Sequence, residues 1–455
     1  MNRQKSSHST VGTFLRSLIL LSVLVGGPFA ETASAQNCVG IPAQECTALH
    51  AIYDAAGGSD WFNDNLWKSL APVGEWNGVT VENGHVTELD LFSNRLFGQI
   101  PAEIGDLTFL TSLDMGWNYL YGEIPDEIAL LTQLQHIDFS ENRLLGPLPP
   151  GIANLTQLEW LDLSENYLSG TIPGEIGNLT NLEIIRLENN LLTGDIPESI
   201  SSLESLFVLS LYSNQLTGQI PTGIGALSSL GVIWLDSNCL SGPIPSNLGN
   251  LSTLIQLYLG DNRLTGSIPS SLYNLSGLQT LSLRNNLLTG EIDSDISGLP
   301  SLSYLDLSMN GLTGSIPESL GSMPALSTLK LNGNNLTGAI PQTLGNLFAL
   351  QDLSLHENQL SGPIPPQLQN LQNLTRLSLF SNQLEGEIPE EIGNIGSLYA
   401  LYLGNNNLSG EIPDKLGFAG SLNFLGLSNN LLEGTVPSTI GNLQDLRGFW
   451  ASGNM

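Results

Sequence analysis

The sequence predicts a solenoid of about sixteen stacked coils, in which each coil adds one short strand to a parallel β-sheet. Asparagine recurs every 24 residues without a slip, and leucine alternates with other residues just before each asparagine. One residue type at one fixed interval is typical of stacked repeats, because each coil must offer its neighbour the same contacts. The recurring asparagines are Asn94, Asn118, Asn142, Asn166, Asn190, Asn214, Asn238, Asn262, Asn286, Asn310, Asn334, Asn358, Asn382, Asn406, Asn430 and Asn454.

The residues that precede each asparagine have the period of a β-strand. Before Asn166, for example, Leu161 and Leu163 alternate with Trp160 and Asp162. A period of two indicates one buried face and one exposed face. Stacking the coils would then place these strands side by side, about 4.8 Å apart.

The second half of each coil carries a glycine and a proline at fixed positions. A glycine follows each of the first fifteen asparagines by four residues, from Gly98 to Gly434, which predicts a positive φ or a backbone too close to its neighbour for a Cβ. An Ile-Pro step such as Ile172-Pro173 recurs in nearly every coil, and Asp293 is the one break in the proline column. Proline favours an extended segment on the far side of the coil.

The recurring asparagines are expected to be structural. An asparagine that leaves a strand at a turn is buried, and its amide both donates to and accepts from backbone groups of adjacent coils. Aspartate only accepts, and leucine does neither. We therefore expect a buried ladder of amides along the solenoid.

One repeat pattern, Leu-x-x-Leu-x-Leu-x-x-Asn-x-Leu-x-Gly-x-Ile-Pro, runs from Leu158 to Pro173. This pattern resembles the plant-specific class of extracellular leucine-rich repeat, which occurs in plant receptor-kinase ectodomains, in polygalacturonase-inhibitor-like proteins and in secreted bacterial and algal proteins. The resemblance covers residues 86–454 and implies a right-handed superhelix (an α/β or mainly β solenoid) with a concave parallel sheet. It implies no particular ligand.

Residues 1–35 are predicted to be an export signal. Arg3, Lys5 and Arg16 precede the apolar run of residues 18–25, and residues 33–35 read Ala-Ser-Ala, a cleavage pattern. The apolar run is short for a bilayer span, so a membrane anchor is the alternative. No second long apolar run follows, and we expect no membrane insertion of the mature chain.

Residues 36–85 differ from the repeats and are expected to cap the first coil of the domain at residues 86–455. Apolar residues recur at helical spacing between Cys46 and Ala56, and Gly57-Gly58 is a natural helix stop. The segment resembles the caps of bacterial and algal members, whereas plant caps usually carry a cysteine where Thr80 stands.

The three cysteines divide into a pair and a single residue. Cys38 and Cys46 are close enough in sequence to form a disulfide within the cap, which suits an exported chain. Cys239 lies in the repeats and is expected to be a lone thiol, with a reactive or intermolecular role as the alternative.

Composition and motifs argue against several functions. The formal charge is −30, and residues 1–35 carry a net +2, so the remaining chain has −32. Such an acidic surface repels nucleic acid; it favours basic or neutral partners, or serves only solubility. The histidines are scattered, and no His-Glu-x-x-His, Gly-x-Ser-x-Gly, phosphate-binding glycine loop or Cys-x-x-Cys occurs. We expect no enzyme, no cofactor and no metal.

The leading functional prediction is a secreted or cell-surface recognition module that binds a protein, peptide or glycan. The alternatives are the ectodomain of a truncated receptor, possibly kinase-linked, and a structural or adhesive surface protein. Glycosylation is expected only in a eukaryotic source, at the Asn-x-Ser/Thr sites Asn154, Asn178, Asn250, Asn274, Asn335, Asn373 and Asn407.

The candidate ligand-binding residues lie two, four and six positions before the recurring asparagines, where strand periodicity predicts exposed side chains. An acidic column gives way to aromatic residues and arginines, the types enriched at binding hot spots; ordinary cross-strand packing is the alternative explanation. The candidates are Asp90, Asp114, Asp138, Asp162, Arg186, Tyr212, Trp234, Asp236, Tyr258 and Arg284, with Tyr304 and Tyr402 flanking them.

Overall fold

The structure is a computed structural model that describes residues 38–455. The predicted export signal lies outside the described residues. Among the residues described, no helix is long and apolar enough to cross a membrane.

The cap consists of an α-helix, Ala43–Ala55, and an aromatic cluster. The helix ends before Gly57, whose φ is 70°, in agreement with the predicted glycine stop. The ring of Trp67 contacts those of Trp61 and Trp76 at centroid distances of 4.9 and 5.4 Å. The structure also joins Cys38 to Cys46 through a disulfide, whereas Cys239 is a free, half-buried thiol.

The main sheet contains seventeen strands. The first is antiparallel to the second, and every later pair is parallel with residue i opposite residue i + 24. The predicted parallel sheet is therefore confirmed. Its strands are Val79–Glu82, His85–Asp90, Ser112–Asp114, His136–Asp138, Trp160–Asp162, Ile184–Arg186, Val208–Ser210, Val232–Trp234, Gln256–Tyr258, Thr280–Ser282, Tyr304–Asp306, Thr328–Lys330, Asp352–Ser354, Arg376–Ser378, Ala400–Tyr402, Phe424–Gly426 and Gly448–Trp450.

Each coil continues into a second short strand, and these strands form three smaller parallel sheets of six, four and five strands. Each of the recurring glycines lies in this part of the coil with a positive φ, as predicted. At Gly98 a Cβ would lie 1.8 Å from the carbonyl oxygen of Ala55 in the cap. The strands are Phe97–Gly98, Tyr119–Gly122, Arg143–Pro147, Tyr167–Thr171, Leu191–Asp195, Gln215–Thr217, Ser241–Pro243, Arg263–Gly266, Leu287–Glu291, Gly311–Thr313, Thr337–Gly338, Gln359–Gly362, Gln383–Glu387, Asn407–Glu411 and Leu431–Glu433.

The far side of each coil is a 3-10 turn that follows the extended proline. At Asp293, where the proline is missing, the side chain instead accepts a 2.9 Å hydrogen bond from the N–H of Asp295 and caps the turn. The only α-helix of the described chain is that of the cap, so the repeats are mainly β. The 3-10 turns are Gly58–Asp60 and Val73–Glu75 in the cap, then Ala102–Asp106, Asp126–Leu130, Pro150–Asn154, Gly174–Asn178, Glu198–Ser202, Thr222–Ala226, Ser246–Asn250, Ser270–Asn274, Ser294–Gly298, Glu318–Ser322, Gln342–Asn346, Pro366–Asn370, Glu390–Asn394, Asp414–Phe418 and Ser438–Asn442.

The core is one continuous column of leucine and isoleucine side chains that runs from the cap through the coils. Asparagines at the turns border it. The Nδ2 of Asn262 donates to the carbonyl oxygens of Leu235, Leu259 and Gly260 at 3.0–3.2 Å, and its Oδ1 accepts from the N–H of Leu240 at 2.9 Å. This pattern recurs along the coils and confirms the expected ladder of buried amides.

Candidate recognition surface

The outward side of the main sheet, here called the sheet face, carries the candidate residues. Strand pairing places Asp90 opposite Asp114, Asp114 opposite Asp138, and Asp138 opposite Asp162. Arg186 then lies opposite Asp162. The acidic column that the repeat spacing predicts is therefore present in the structure, and it ends at an arginine.

The carboxylates of this column crowd one another. Asp114 accepts a 3.0 Å hydrogen bond from the N–H of Gly116, and Asp138 accepts a 2.8 Å bond from the N–H of Ser140. Burial, together with the charges of neighbouring carboxylates, raises the pKa of Asp114 to about 6. The carboxylate of Asp114 is therefore in a site that disfavours its charge.

Asp162 corrects the expectation that every residue in these columns is exposed. It is only 4% exposed, and both the N–H and the hydroxyl of Ser164 donate to its Oδ1. Its Oδ2 lies 3.7 Å from Nη1 of Arg186. Because Ser164 and Arg186 enclose it, Asp162 presents no free carboxylate to a ligand.

Glu188 is a buried carboxylate that the sequence prediction missed. It lies two positions before Asn190 and is 6% exposed, and its Oε2 has no hydrogen-bond partner among the described residues. Burial raises the pKa of its carboxyl group. Its position in the repeat is the signal that places it on the sheet face.

The aromatic candidates meet at one place. The rings of Tyr212 and Trp234 are 6.2 Å apart and those of Trp234 and Tyr258 are 6.4 Å apart, both edge-to-face. With Asp236 they line an open depression of about 230 Å³. The indole N–H of Trp234 donates to Oε1 of Gln256 at 3.0 Å. This hydrogen bond orients the Trp234 ring, which lines the aromatic depression between Tyr212 and Tyr258.

Cationic side chains lie further along the same face. Arg284 pairs with Asp261 at one end of a second depression of about 590 Å³ that extends to Lys330 and Arg376. Asp306 and Asp352 also line this depression, so it carries both signs of charge. Lys330 and Arg376 were not among the sequence candidates, although they lie four and six positions before recurring asparagines, the spacing that predicts exposed side chains. Of the flanking candidates, Tyr304 lies beneath the ammonium group of Lys330 at 5.6 Å.

Tyr402 belongs to a different part of the sheet face. It lines a separate depression together with Phe380 and Trp450. The structure therefore groups Tyr212, Trp234, Asp236 and Tyr258 and leaves Tyr402 apart.

Comparison with known proteins identifies the repeats. A family model described as a leucine-rich repeat region matches residues 160–364, and one described as leucine-rich repeat matches residues 85–107, 133–155, 373–395, 397–418 and 421–443. Comparison with curated proteins finds no match.

Solved structures are similar over most of the chain. The ectodomain of the plant receptor kinase GASSHO1/SCHENGEN3 from Arabidopsis thaliana is 33% identical over 85% of this chain, with a TM-score of 0.71, and the chain spans about half (52%) of that protein. A TDR receptor is 35% identical, with 79% of this chain and 67% of that chain covered and a TM-score of 0.73. The protein LIC12759 from Leptospira interrogans is 34% identical, with 83% and 91% covered and a TM-score of 0.66. The chain belongs to the leucine-rich-repeat family and is of the plant-type extracellular class.

Proposed function

We propose that the chain is an extracellular recognition module, secreted or held at the cell surface, whose sheet face binds an extended peptide or protein segment. The aromatic depression formed by Tyr212, Trp234 and Tyr258 carries this proposal. These rings are partly exposed and offer apolar area with fixed geometry, which is the property of residues that dominate binding energy at interfaces.

The charges on either side of the aromatic depression define the kind of ligand. The acidic column from Asp90 to Asp138 lies toward the cap, and the depression with Lys330 and Arg376 lies toward the other end. A peptide that crosses the strands would meet carboxylates first and aromatic rings next. It would last meet a depression lined by both cations and aspartates. We expect the preferred ligand to carry basic residues at the end that meets the acidic column, since complementary charge gives specificity and orientation.

A relative supports a peptide ligand over other classes. The plant peptide hormone receptor RGFR1, which is 34% identical over 79% of this chain with a TM-score of 0.65, was solved in complex with RGF2. The same aromatic rings also suit a glycan, and the same fold serves in a receptor ectodomain or an adhesive protein. These remain the competing proposals, and the acidic column on the sheet face favours a peptide with basic residues, because neutral sugars make no use of its charge.

Selection from a random peptide display library, paired with a glycan array, separates these possibilities. We expect the immobilised protein to enrich peptides that combine aromatic with basic residues, and the enrichment to weaken at high salt because exposed charges are screened. Strong signals on the glycan array with no peptide enrichment would replace the peptide with a glycan ligand. Failure of both arms would favour the adhesive or structural protein.

A further inference from the structure

Asp114, His136 and Asp138, near the cap end of the sheet face, lie close enough together to act as ligands of one metal ion. Asp114 and Asp138 occupy the same register on adjacent strands, and His136 lies two residues before Asp138, on the same side of its strand. One ligand atom from each of the three residues lies within 4.8 Å of the other two. This triad lies outside the aromatic depression but includes two carboxylates of the acidic column.

The backbone orients both carboxylates of the triad. The N–H groups of Gly116 and Ser140 each hold one Oδ1, so the second oxygen of each carboxylate remains available to a ligand. A Cβ at residue 116 would lie 2.8 Å from Oδ1 of Asp138. Glycine at this position therefore keeps a side chain away from the carboxylate.

The charge of the triad is not offset by the protein. Within residues 38–455, no ion pair involves Asp114 or Asp138. Asp90 and Asp162 extend the acidic column on either side.

The donor set selects the ion. One imidazole nitrogen with carboxylate oxygens suits Zn²⁺ and its transition-metal neighbours, whereas Ca²⁺ and Mg²⁺ prefer oxygen ligands alone. Ligand distances of about 2.0–2.2 Å around a tetrahedral ion separate the ligand atoms by roughly 3.4 Å. The ligand atoms, now within 4.8 Å of one another, would need to approach by at most about 1.4 Å to reach that separation. Rotation about side-chain bonds allows movements of this size. Three protein ligands leave a fourth position facing solvent.

We propose that Asp114, His136 and Asp138 bind one Zn²⁺ ion on the sheet face. The open fourth position would be available to water or to a donor atom of a bound partner. The ion would offset the repulsion within the acidic column.

Isothermal titration of tag-free, chelator-treated protein with zinc chloride tests this site. We expect one Zn²⁺ per chain in the wild type, and binding at least tenfold weaker in both His136→Gln and Asp114→Asn. His356→Gln is the matched control, because His356 is also half-buried on the sheet face but contacts Ser378 and Phe380 rather than carboxylates. That variant should bind as the wild type does.

Several results would overturn the site. They are no zinc binding by the wild type, unchanged binding by His136→Gln or by Asp114→Asn, and an equal loss in His356→Gln. Calcium chloride binding more tightly than zinc chloride would contradict the choice of ion. Circular dichroism on each variant establishes that it is folded, and two ligand variants are used so that misfolding of one leaves the other informative.

Discussion

The Oδ1 of Asn142 accepts a 2.9 Å hydrogen bond from the N–H of Leu120, 22 residues earlier in the preceding coil. Its Nδ2 donates to the carbonyl oxygen of Met115, in that same coil, at 2.9 Å. One amide thus joins two coils through a donor and an acceptor. Repetition of this contact explains why asparagine alone is found at this position.

Replacing one rung of this ladder should destabilise the protein strongly. In Asn406→Leu the N–H of Leu384 loses its partner. The carbonyl groups of Leu379 and Leu403 each lose one of their two amide donors. Leaving the buried N–H unpaired costs about 1–3 kcal/mol. Chemical denaturation monitored by circular dichroism measures the loss.

The adjacent residue supplies a control for the same chemical change. Asn407 is exposed on the strand Asn407–Glu411, so Asn407→Leu in unglycosylated protein should alter the free energy of unfolding by less than about 0.5 kcal/mol. Equal effects of the two substitutions would contradict a specific role for the buried amide.

The sequence predicts the repeating parts of this structure well, because they depend on contacts that every coil makes alike. The asparagine ladder, the positive φ of the glycines from Gly98 onward and the parallel register all follow from periodicity. Periodicity does not predict how much of each exposed-face side chain is buried by the side chains of adjacent coils. The burial of Asp162 and Glu188 depends on the particular side chains beside them, and these differ from coil to coil.

The cap disulfide should contribute measurably to stability. Replacing Cys38 and Cys46 by serine opens a short loop, and the chain-entropy model gives about 2.5 kcal/mol for a loop of this length. Cys239→Ser should have little effect, because that thiol is free and only half-buried. Thermal melts of the two variants test this difference, and a Cys239→Ser variant as unstable as the double variant would contradict it.

Asp114 should make stability depend on pH. Its pKa is about 6 in the folded protein against 3.8 as an ordinary aspartate, so the folded state binds the proton more tightly. Stability is therefore gained as the pH falls from 6 toward 4 and is lost as the pH rises through the same window. Asp114→Asn removes the charge and should melt at a higher temperature than the wild type at pH 8, with the difference shrinking toward pH 4.

Thermal melts in the presence of chelator, at pH 4 through 8, measure this effect without bound metal. Asp126→Asn is the control, since Asp126 is exposed on the 3-10 turn Asp126–Leu130. A difference between Asp114→Asn and wild type that stays constant over this pH range would show that Asp114 is not the group responsible.

The affinity of a display-selected peptide for the Trp234→Ala/Tyr258→Ala variant tests the proposed recognition surface most directly. Removing two of the three rings of the aromatic depression should weaken binding by at least about 2 kcal/mol, or roughly thirtyfold in Kd, while leaving the fold intact. A matched double variant, Phe348→Ala/Phe418→Ala, removes two rings that are 62% and 66% exposed outside the sheet face. We predict that isothermal titration will show wild-type affinity for this control and the thirtyfold loss for the first variant. Equal affinity of the Trp234→Ala/Tyr258→Ala variant and the wild type would contradict binding at the centre of the sheet face.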